Sequence, residues 1–258
     1  MVRALYTGWT GMVNEQKRLD IISNNMANAT TVGFKKEGVT SESFKDVMAI
    51  KIRDEAAGWR KEEIGVMSPG VKLGEIYTDY TQGSVRQTDN TYDLAIAGEG
   101  FFEVSVKDRN GEEHIRYTRA GQFKITQDGH IVDTDGNNLR SESGELQVPV
   151  DAKNVTITEN GQVYADGELI DKIVLKDFED YDFLKKVGYT MYEPVNGAQQ
   201  KDTTAEILQG YTEQSNVNIV REMVNMIEIT RAYETNQRLI KSIDSTLDLA
   251  ANTIGRVG

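Results

Sequence analysis

The chain has 258 residues, with 29 Lys and Arg against 41 Asp and Glu and a formal net charge of -12. Phosphate binding needs a basic surface, so this charge argues against a role in binding nucleic acid or anionic membranes. Cysteine is absent, which excludes disulfides, thiolate metal ligands and cysteine nucleophiles. No segment approaches the roughly 20 apolar residues of a membrane span, so we expect no direct membrane insertion.

The N-terminal segment has the pattern of an amphipathic helix. Its apolar residues recur at intervals of seven, which predicts a helix from Arg3 to Ala27 with a narrow apolar seam. A secretory signal needs a longer apolar run and a small-residue cleavage site, so we expect no cleaved signal peptide. The seam consists of Leu5, Met12, Leu19, Ile22 and Met26.

The C-terminal segment repeats this interval over a longer stretch. Asn218 can cap the start of a helix from Ile219 to Ile254, and Gly255 can end it. We expect the two helices to pair lengthwise. The C-terminal helix carries more apolar residues than its partner can cover, and burying each is worth about 1.5–3 kcal/mol, so we infer self-association. Its seam positions are Met226, Tyr233, Ile240, Ile243 and Leu247.

The middle of the chain has the signals of an antiparallel β domain, which we place at residues 76–204. Short apolar runs alternate with Asn-Gly and Asp-Gly dipeptides, which favour tight hairpins. Phe101–Val106, Lys172–Lys176 and Val187–Tyr192 are predicted strands. The turn dipeptides include Asn110-Gly111, Asp128-Gly129, Asp135-Gly136, Asn160-Gly161, Asp166-Gly167 and Asn196-Gly197.

Residues 37–75 are expected to connect the first helix, placed in 1–36, to the β domain. Phe44, Val47, Met48 and Ile52 have helical spacing and predict a short helix from Ser41 to Ala57. The following stretch, Glu62 to Lys72, should be irregular or extended. With residues 205–258 completing the helical part, the expected fold is a multidomain α+β protein with paired coiled-coil-like helices and an all-β centre.

Catalytic and metal-binding patterns are weak. His114 and His130 belong to no paired-histidine motif, and a surface position in a hairpin explains both better. The run from Asp133 to Asn137 begins like a calcium loop, but Asn138 and Gly144 stand where such a loop has glycine and glutamate. We therefore expect no catalytic residue, no metal and no cofactor.

Asparagines cluster where each helix adjoins the rest of the chain. They can end or cap a helix, or fix the register of a helix bundle if their amides are buried. We expect both roles, register and capping, from Asn24, Asn25, Asn28, Asn216 and Asn218.

The order of several motifs resembles that of bacterial flagellar basal-body rod and hook proteins. Leu19–Asn28 followed by Gly33-Phe34-Lys35 resembles their N-terminal signature. Gly98–Phe102 and Tyr117–Phe123 are similar to parts of their β domain. The C-terminal motif is matched by Gln209-Gly210-Tyr211, Ser215–Asn218, Glu222–Ile227 and Arg231–Glu234.

The resemblance implies a structural subunit of the flagellar basal body, not an enzyme. It implies self-assembly into a helical polymer, contacts with other axial proteins of the proximal rod and hook, and export unfolded through the flagellar type III export apparatus. The length of 258 residues suits a distal rod subunit or its proximal neighbour better than the larger hook protein. One alternative is a calcium- or glycan-binding β domain on a coiled-coil stalk, and an enzyme ranks third.

Overall fold

The structure is a computed structural model that describes residues 2–52, 61–107, 111–152 and 154–254. The chain divides into two compact units. Unit 1 contains residues 1–26, 37–78 and 219–258, and unit 2 contains residues 27–36 and 79–218. The chain therefore passes between the units four times, and neither unit is a continuous stretch of sequence.

Unit 1 consists of two helices and a β ribbon. The ribbon is built from two antiparallel pairs, β1 with β4 and β2 with β3, and Glu37 lies opposite Thr78 at its start. The elements are α1 (Val2–Ala27), β1 (Glu37–Ser43), β2 (Val47–Ile52), β3 (Lys61–Met67), β4 (Val71–Thr78) and α2 (Ile219–Ile254).

Both predicted helices are present. α1 has 26 residues, and α2 has 36, which corresponds to a length of about 54 Å. Among the described residues, neither helix is sufficiently long and apolar to span a membrane. Together with the strands that lie between them in sequence, the helices define an α+β fold.

The short helix expected from Ser41 to Ala57 is wrong wherever the structure describes it. Ser41 belongs to β1, and Val47 to Ile52 form β2. The apolar residues have helical spacing, but residues 61–78 provide an antiparallel partner, and β-branched Val39, Thr40 and Val47 favour the extended backbone. Residues 53–57 lie outside the described part of the chain. The stretch expected to be irregular or extended is mostly strand.

Unit 2 contains strands that pair only in the antiparallel sense in the residues described, as predicted. The first strands are β5 (Val85–Gln87), β6 (Leu94–Ala97), β7 (Phe101–Lys107), β8 (Glu113–Thr118), β9 (Lys124–Ile125), β10 (Ile131–Val132), β11 (Asn138–Ser141), β12 (Gly144–Glu145) and β13 (Val155–Ile157). The remaining strands are β14 (Gln162–Ala165), β15 (Glu168–Lys172), β16 (Leu175–Phe178), β17 (Leu184–Val187), β18 (Met191–Pro194), β19 (Gln200–Asp202), β20 (Glu206–Gln209) and β21 (Tyr211–Glu213).

A ten-stranded sheet forms the main layer of unit 2, and its longest path runs in the order β17-β18-β8-β7-β11-β10-β9. β13, β14 and β15 form a separate three-stranded sheet, while β20 pairs with β6 and β21 with β5. Apolar side chains close the interior. Phe102 and Phe123 pack edge to face with ring centroids 5.4 Å apart, and Leu139 and Val163 are fully buried.

Glycines in the predicted turns of unit 2 have positive φ. Gly129, Gly136 and Gly161 have φ between 82° and 89°. Within the described residues, Asp166-Gly167 is the dipeptide in which both members have positive φ, 49° and 93°. The strand predicted over Val187–Tyr192 is wrong at its centre, where a turn at 188–190 separates β17 from β18.

The division into units differs from the expected domain boundaries at three places. Residues 27–36 and 205–218 group with the β strands instead of with the helices. β20 and β21, which lie in the second of these segments, pair with β6 and β5. Residues 37–78 group with the helices and form the ribbon of unit 1.

Candidate assembly surfaces

The two helices of unit 1 approach each other at two glycines of α1. A methyl group on Gly8 would lie 3.1 Å from Leu239 Cδ2 and 3.3 Å from Ile240 Cγ1. A methyl group on Gly11 would lie 3.1 Å from the Nδ2 of Asn236. Gly8 meets Leu239, and Gly11, three residues later in α1, meets Asn236, three residues earlier in α2. The helices therefore run antiparallel where they touch.

The less exposed residues of α2 follow the seven-residue interval. Between Met226 and Ala250 they are spaced alternately by three and four residues, and all the remaining residues of that stretch are exposed. This is the spacing of a helix that packs along one line. The residues are Met226, Ile229, Tyr233, Asn236, Ile240, Ile243, Leu247 and Ala250.

The predicted seam positions lie on this less exposed side of both helices, and most are half-buried. Ile22 is buried, with 8% of its surface exposed. Ile229, which the seam list omitted, is the most buried apolar residue of α2 at 4%. Its place in the three-four spacing could have identified it. The half-buried positions are Leu5, Met12, Leu19, Met26, Met226, Tyr233, Ile240, Ile243 and Leu247.

A second face of each helix carries apolar side chains that unit 1 leaves exposed. On α1, Tyr6 is 54% and Trp9 49% exposed, and their rings lie 5.9 Å apart. On α2, Val220 is 72% and Leu249 65% exposed. Contiguous exposed apolar surface is typical of an interaction site. The other exposed apolar residues of the helices are Val13, Ile219, Met223, Val224, Ile227 and Leu239.

The ribbon contacts α1 at polar positions. Asn14 Nδ2 donates to the hydroxyl of Ser41 at 3.2 Å, and the side chain of Thr10 fills the space beside Gly70. Asn25, which is 1% exposed, donates to the carbonyl of Glu37 at 2.7 Å and accepts from its N–H at 2.9 Å. The paired hydrogen bonds of Asn25 therefore fix the start of the ribbon against α1.

The other predicted asparagines lie at the ends of the helices. Asn24 is exposed within α1, and Asn218 is exposed immediately before α2. Asn28 follows the last residue of α1 and accepts a hydrogen bond from the hydroxyl of Thr31 at 3.2 Å. The hydrogen bonds of Asn25 go to the backbone of Glu37, and this bond of Asn28 goes to the side chain of Thr31, so both hold the end of α1 to the chain that follows it.

Asn216 joins three segments of unit 2. Its Oδ1 accepts from the N–H of Lys36 at 2.8 Å, and its Nδ2 donates to the carbonyl of Asp79 at 2.8 Å. The N–H of Asp79 donates in turn to the carbonyl of Lys36 at 2.8 Å. Asn216 thus connects the segment after α1, the segment before β5 and the segment before α2.

A buried group of charges lies among the same segments, which we call the junction cluster: Lys35, Glu213 and Arg119. Lys35 Nζ lies 2.6 Å from Glu213 Oε1, and Arg119 lies 3.4 Å from Glu213 Oε2. Their side chains are 1%, 1% and 5% exposed. Burial lowers the pKa of Lys35 below its usual range, while the charge of Glu213 and its hydrogen bond oppose that shift.

Backbone contacts complete the junction cluster. Lys35 Nζ also donates to the carbonyl of Thr81 at 2.8 Å, and Glu213 Oε1 accepts from the N–H of Gly83 at 2.9 Å. Gly33 has φ of 70° and lies against the backbone of Ala120, where a Cβ would overlap. Sequence reasoning missed this cluster because Lys35 and Glu213 are 178 residues apart. The signals were that Gly33-Phe34-Lys35 and Tyr117–Phe123, which contains Arg119, belong to motifs.

The residues weighed for metal or catalytic roles have local structural partners. The Asp133 carboxylate accepts from the N–H groups of Asp135 and Asn137 at 2.9 Å, and from the Asn137 side chain at 2.9 Å. Its hydrogen bonds stabilise the turn, as the hairpin interpretation predicts. Asp177, another acid of unit 2, accepts from the hydroxyl of Tyr181 at 2.8 Å. It lies in β16, so this hydrogen bond joins a strand to the residues that follow it.

The helices and the antiparallel β unit between them in sequence define the class: an α+β protein whose two long helices carry exposed apolar faces. Three family profiles match the chain, and their order follows the motifs. Residues 5–35 match "Flagella basal body rod protein", residues 95–165 match "Flagellar hook protein FlgE/F/G D1 domain", and residues 208–253 match "Flagellar basal body rod FlgEFG protein C-terminal".

Curated relatives match over nearly the whole length. The flagellar basal-body rod protein FlgG of Bacillus subtilis is 34% identical over 272 residues, covering 98% of this chain and 99% of the relative. FlgG of Buchnera aphidicola from Acyrthosiphon pisum is 33% identical with 96% and 98% covered. FlgF of Caulobacter vibrioides is 36% identical with 100% and 99% covered. The chain belongs to the flagellar basal-body rod protein family, a family of structural proteins of the basal body.

Proposed function

We propose that this chain polymerises helically into the flagellar rod, the drive-shaft tube, with α1 and α2 providing the contacts between copies. The observation that carries the proposal is the exposed apolar face on each helix. Val220, Leu249 and Tyr6 are more than half exposed, and water is an unfavourable environment for such side chains. A heterologous contact that does not close into a ring produces an open filament.

Within one copy, we propose that α1 and α2 pair as an antiparallel coiled coil. The contacts of Gly8 with Ile240 and of Gly11 with Asn236 support this register. Small residues at these positions allow close approach of the two backbones. Continuing in steps of three and four residues places the seam residues opposite one another: Leu5 with Ile243, Met12 with Asn236, Glu15 with Tyr233, Leu19 with Ile229, Ile22 with Met226, and Met26 with Glu222.

In this arrangement the seam residues hold the pair together, and the outward faces bind neighbouring copies. We expect the seam positions of both helices also to pack the subunits in the assembled rod, and Leu247, which continues the three-four spacing of α2, is one of them. The asparagines would fix the register by holding the helix ends in place. Asn25 and Asn216 support this role because both make paired hydrogen bonds to backbone groups.

The partners follow from the same role. The chain would contact other axial proteins, those of the proximal rod and the hook, at the ends of its own polymer. It would reach that place unfolded, through the flagellar export apparatus. We favour the distal rod, because the β elements at Gly98–Phe102 and Tyr117–Phe123 and the length of 258 residues suit a rod subunit better than the larger hook protein.

Leu247→Asp tests the proposal. A charge in an apolar contact between helices should abolish incorporation into rods and leave unit 2 folded, because this residue belongs to unit 1. The measurement is electron microscopy of rods assembled from the purified variant, with near-ultraviolet circular dichroism to follow unit 2. Leu169→Asp is the matched control, since Leu169 is an exposed leucine of unit 2.

Normal rods from Leu247→Asp would contradict the assignment of the helices as the packing surfaces. Equal loss of rods in both variants would also count against it, since the β unit would then carry contacts of the same weight.

A further inference from the structure

The Asn-Gly dipeptides of the predicted turns have a chemical reactivity that the proposed assembly does not involve. The backbone nitrogen of the residue after an asparagine can attack the side-chain carbonyl carbon of that asparagine. A glycine in the second position has no Cβ to hinder the attack and allows the backbone to rotate. The chain has three such dipeptides. Asn110 lies outside the described residues, so the structure permits a comparison of Asn160-Gly161 with Asn196-Gly197.

Asn196-Gly197 lies in an exposed turn of unit 2, between β18 and β19. The N–H of Ala198 donates to the carbonyl of Val195 at 3.1 Å, so Asn196 and Gly197 are the two central residues of the turn. Both are exposed, and Gly197 has φ of 109°. Neither the N–H nor the carbonyl of Gly197 forms a hydrogen bond with any residue that the structure describes. The nitrogen of Gly197 is therefore free to approach the side chain of Asn196.

Asn160-Gly161 has the same two residues, but hydrogen bonds hold its backbone. The N–H of Gly161 donates to the carbonyl of Thr158 at 2.8 Å, and the carbonyl of Gly161 accepts from the N–H of Ile173 at 2.8 Å. Gly161 is buried, although Asn160 is exposed. Attack by the Gly161 nitrogen therefore requires that these hydrogen bonds break and that the turn open locally.

From this contrast we propose that Asn196 is a site of spontaneous deamidation in the folded protein, and that its fold protects Asn160. The Gly197 nitrogen forms a bond with Cγ of Asn196 and gives up its proton, while the bond from Cγ to Nδ2 breaks and ammonia leaves. The product is a five-membered succinimide ring. Water then adds to either carbonyl of the ring and opens it, which yields aspartate or isoaspartate at position 196. No oxidant or reductant takes part.

The modification changes the turn in two ways. Both products replace a neutral amide with a carboxylate at an exposed position. Isoaspartate also adds one carbon atom to the main chain before Gly197, inside the ring that the hydrogen bond from Ala198 to Val195 closes. Because water is the only reactant besides the chain itself, the modified fraction should rise with the age of the protein.

Timed incubation of the full chain in mildly alkaline buffer tests the proposal. Peptide mapping by mass spectrometry measures the conversion at each asparagine, and electron-transfer fragmentation distinguishes isoaspartate from aspartate. We expect Asn196 to convert at least about tenfold faster than Asn160, because the hydrogen bonds of Gly161 must break before the attack. In guanidinium chloride the unfolded chain lacks these hydrogen bonds, so both asparagines should convert at similar rates.

The matched control is Asn196→Ser, which should abolish conversion at position 196 and leave the rate at Asn160 unchanged. Equal rates at the two asparagines of the folded chain would overturn the proposal, as would a folded chain in which Asn196 stays intact while the unfolded chain reacts. A difference that persists in guanidinium chloride would also overturn it, because the neighbouring sequence and not the fold would then set the rates.

Discussion

Units 1 and 2 use the same types of apolar residue in different ways. In unit 2, Phe102, Leu139 and Tyr192 are completely buried, and the charged junction cluster is enclosed as well. In unit 1, Val220, Val224 and Leu249 are at least half exposed although they belong to a regular helix. Unit 2 thus buries a large apolar core of its own and leaves single residues such as Leu169 and Tyr189 exposed, whereas unit 1 presents many of its helix residues to the surroundings. The contrast separates residues that stabilise a copy from residues available to join copies.

Geometry explains the contrast. Strands bury one face against a second layer, and the chain of unit 2 returns often enough to supply that layer. Two helices and a ribbon bury only the sides on which they meet. α2 has a less exposed side along the seam and a second apolar side near its start, so no single neighbour can cover both.

The largest expected effect comes from removing the negative charge of the junction cluster. Glu213→Gln leaves Lys35 and Arg119 buried without their counter-charge, so we expect the free energy of unfolding of unit 2 to fall by about 3–5 kcal/mol. Urea denaturation followed by near-ultraviolet circular dichroism measures the change. The control is Lys172→Met, which removes an exposed ion pair with Glu142 and should cost less than about 1 kcal/mol. Similar losses in both variants would contradict the role given to burial.

An intermediate effect should come from the pH dependence of Tyr117. Burial, with a smaller contribution from the nearby Glu103 carboxylate, raises the pKa of Tyr117 from 10.0 to about 12. The folded protein therefore keeps the phenol proton at pH values where the unfolded chain loses it. The stabilising contribution is complete below pH 10 and is lost as the pH rises through about 12.

Tyr117→Phe should remove this dependence. Between pH 10 and pH 12 the parent protein should lose about 2–3 kcal/mol more of its free energy of unfolding than the variant does. Denaturation at a series of pH values measures the difference, and Tyr189→Phe, at a ring that is 64% exposed, is the control that should follow the parent. Parallel curves for the parent and Tyr117→Phe would refute the prediction.

The smallest expected effect concerns the helix contact of unit 1. Gly8→Leu places a large side chain where even a methyl group lies 3.1 Å from Leu239 Cδ2, and we expect a cost of about 1–3 kcal/mol from overpacking. Leucine is also the better helix former, so α1 itself should gain helical stability. Hydrogen exchange should therefore show lower protection in α2 around Leu239 but not in α1.

Ala4→Leu provides the control, because Ala4 is an exposed position in the same helix. It should raise the helical stability of α1 and leave the protection of α2 unchanged. Unchanged protection of α2 in Gly8→Leu would show that the close approach at Gly8 is unimportant for holding the helices together.

The helices, the antiparallel β unit and the positive-φ turns could be predicted because each depends on local sequence. An interval of seven residues identifies α2 from Ile219 to Ile254, the last residue described, and Asp166-Gly167 determines its hairpin through its own backbone preferences. The helix predicted from Ser41 failed because its apolar spacing was local, while the segment pairs with strands further along the chain: Ser41 with Leu73 of β4, and Val47 with Met67 of β3. Pairing with a distant segment outweighed the local pattern.

Some residues of the candidate site could likewise be predicted from local sequence, and others could not. The less exposed side of each helix was predictable because amphipathic spacing marks it. The junction cluster was not, because nothing near Lys35 indicates that Glu213 and Arg119 will enclose it. The hydrogen-bond partner of Asn25 could not be predicted either. The sequence suggested an amide that fixes the register of the helices, whereas in the structure the side chain of Asn25 hydrogen-bonds to the backbone of Glu37.

The junction determines the route that mechanical force takes through unit 2. α1 and α2 join it at segments that already hydrogen-bond to each other, through the N–H of Gly33 to the carbonyl of Glu213 at 2.9 Å and the N–H of Lys36 to Asn216. A pull or twist applied to the helices is therefore resisted first by these bonds and the buried charges beside them.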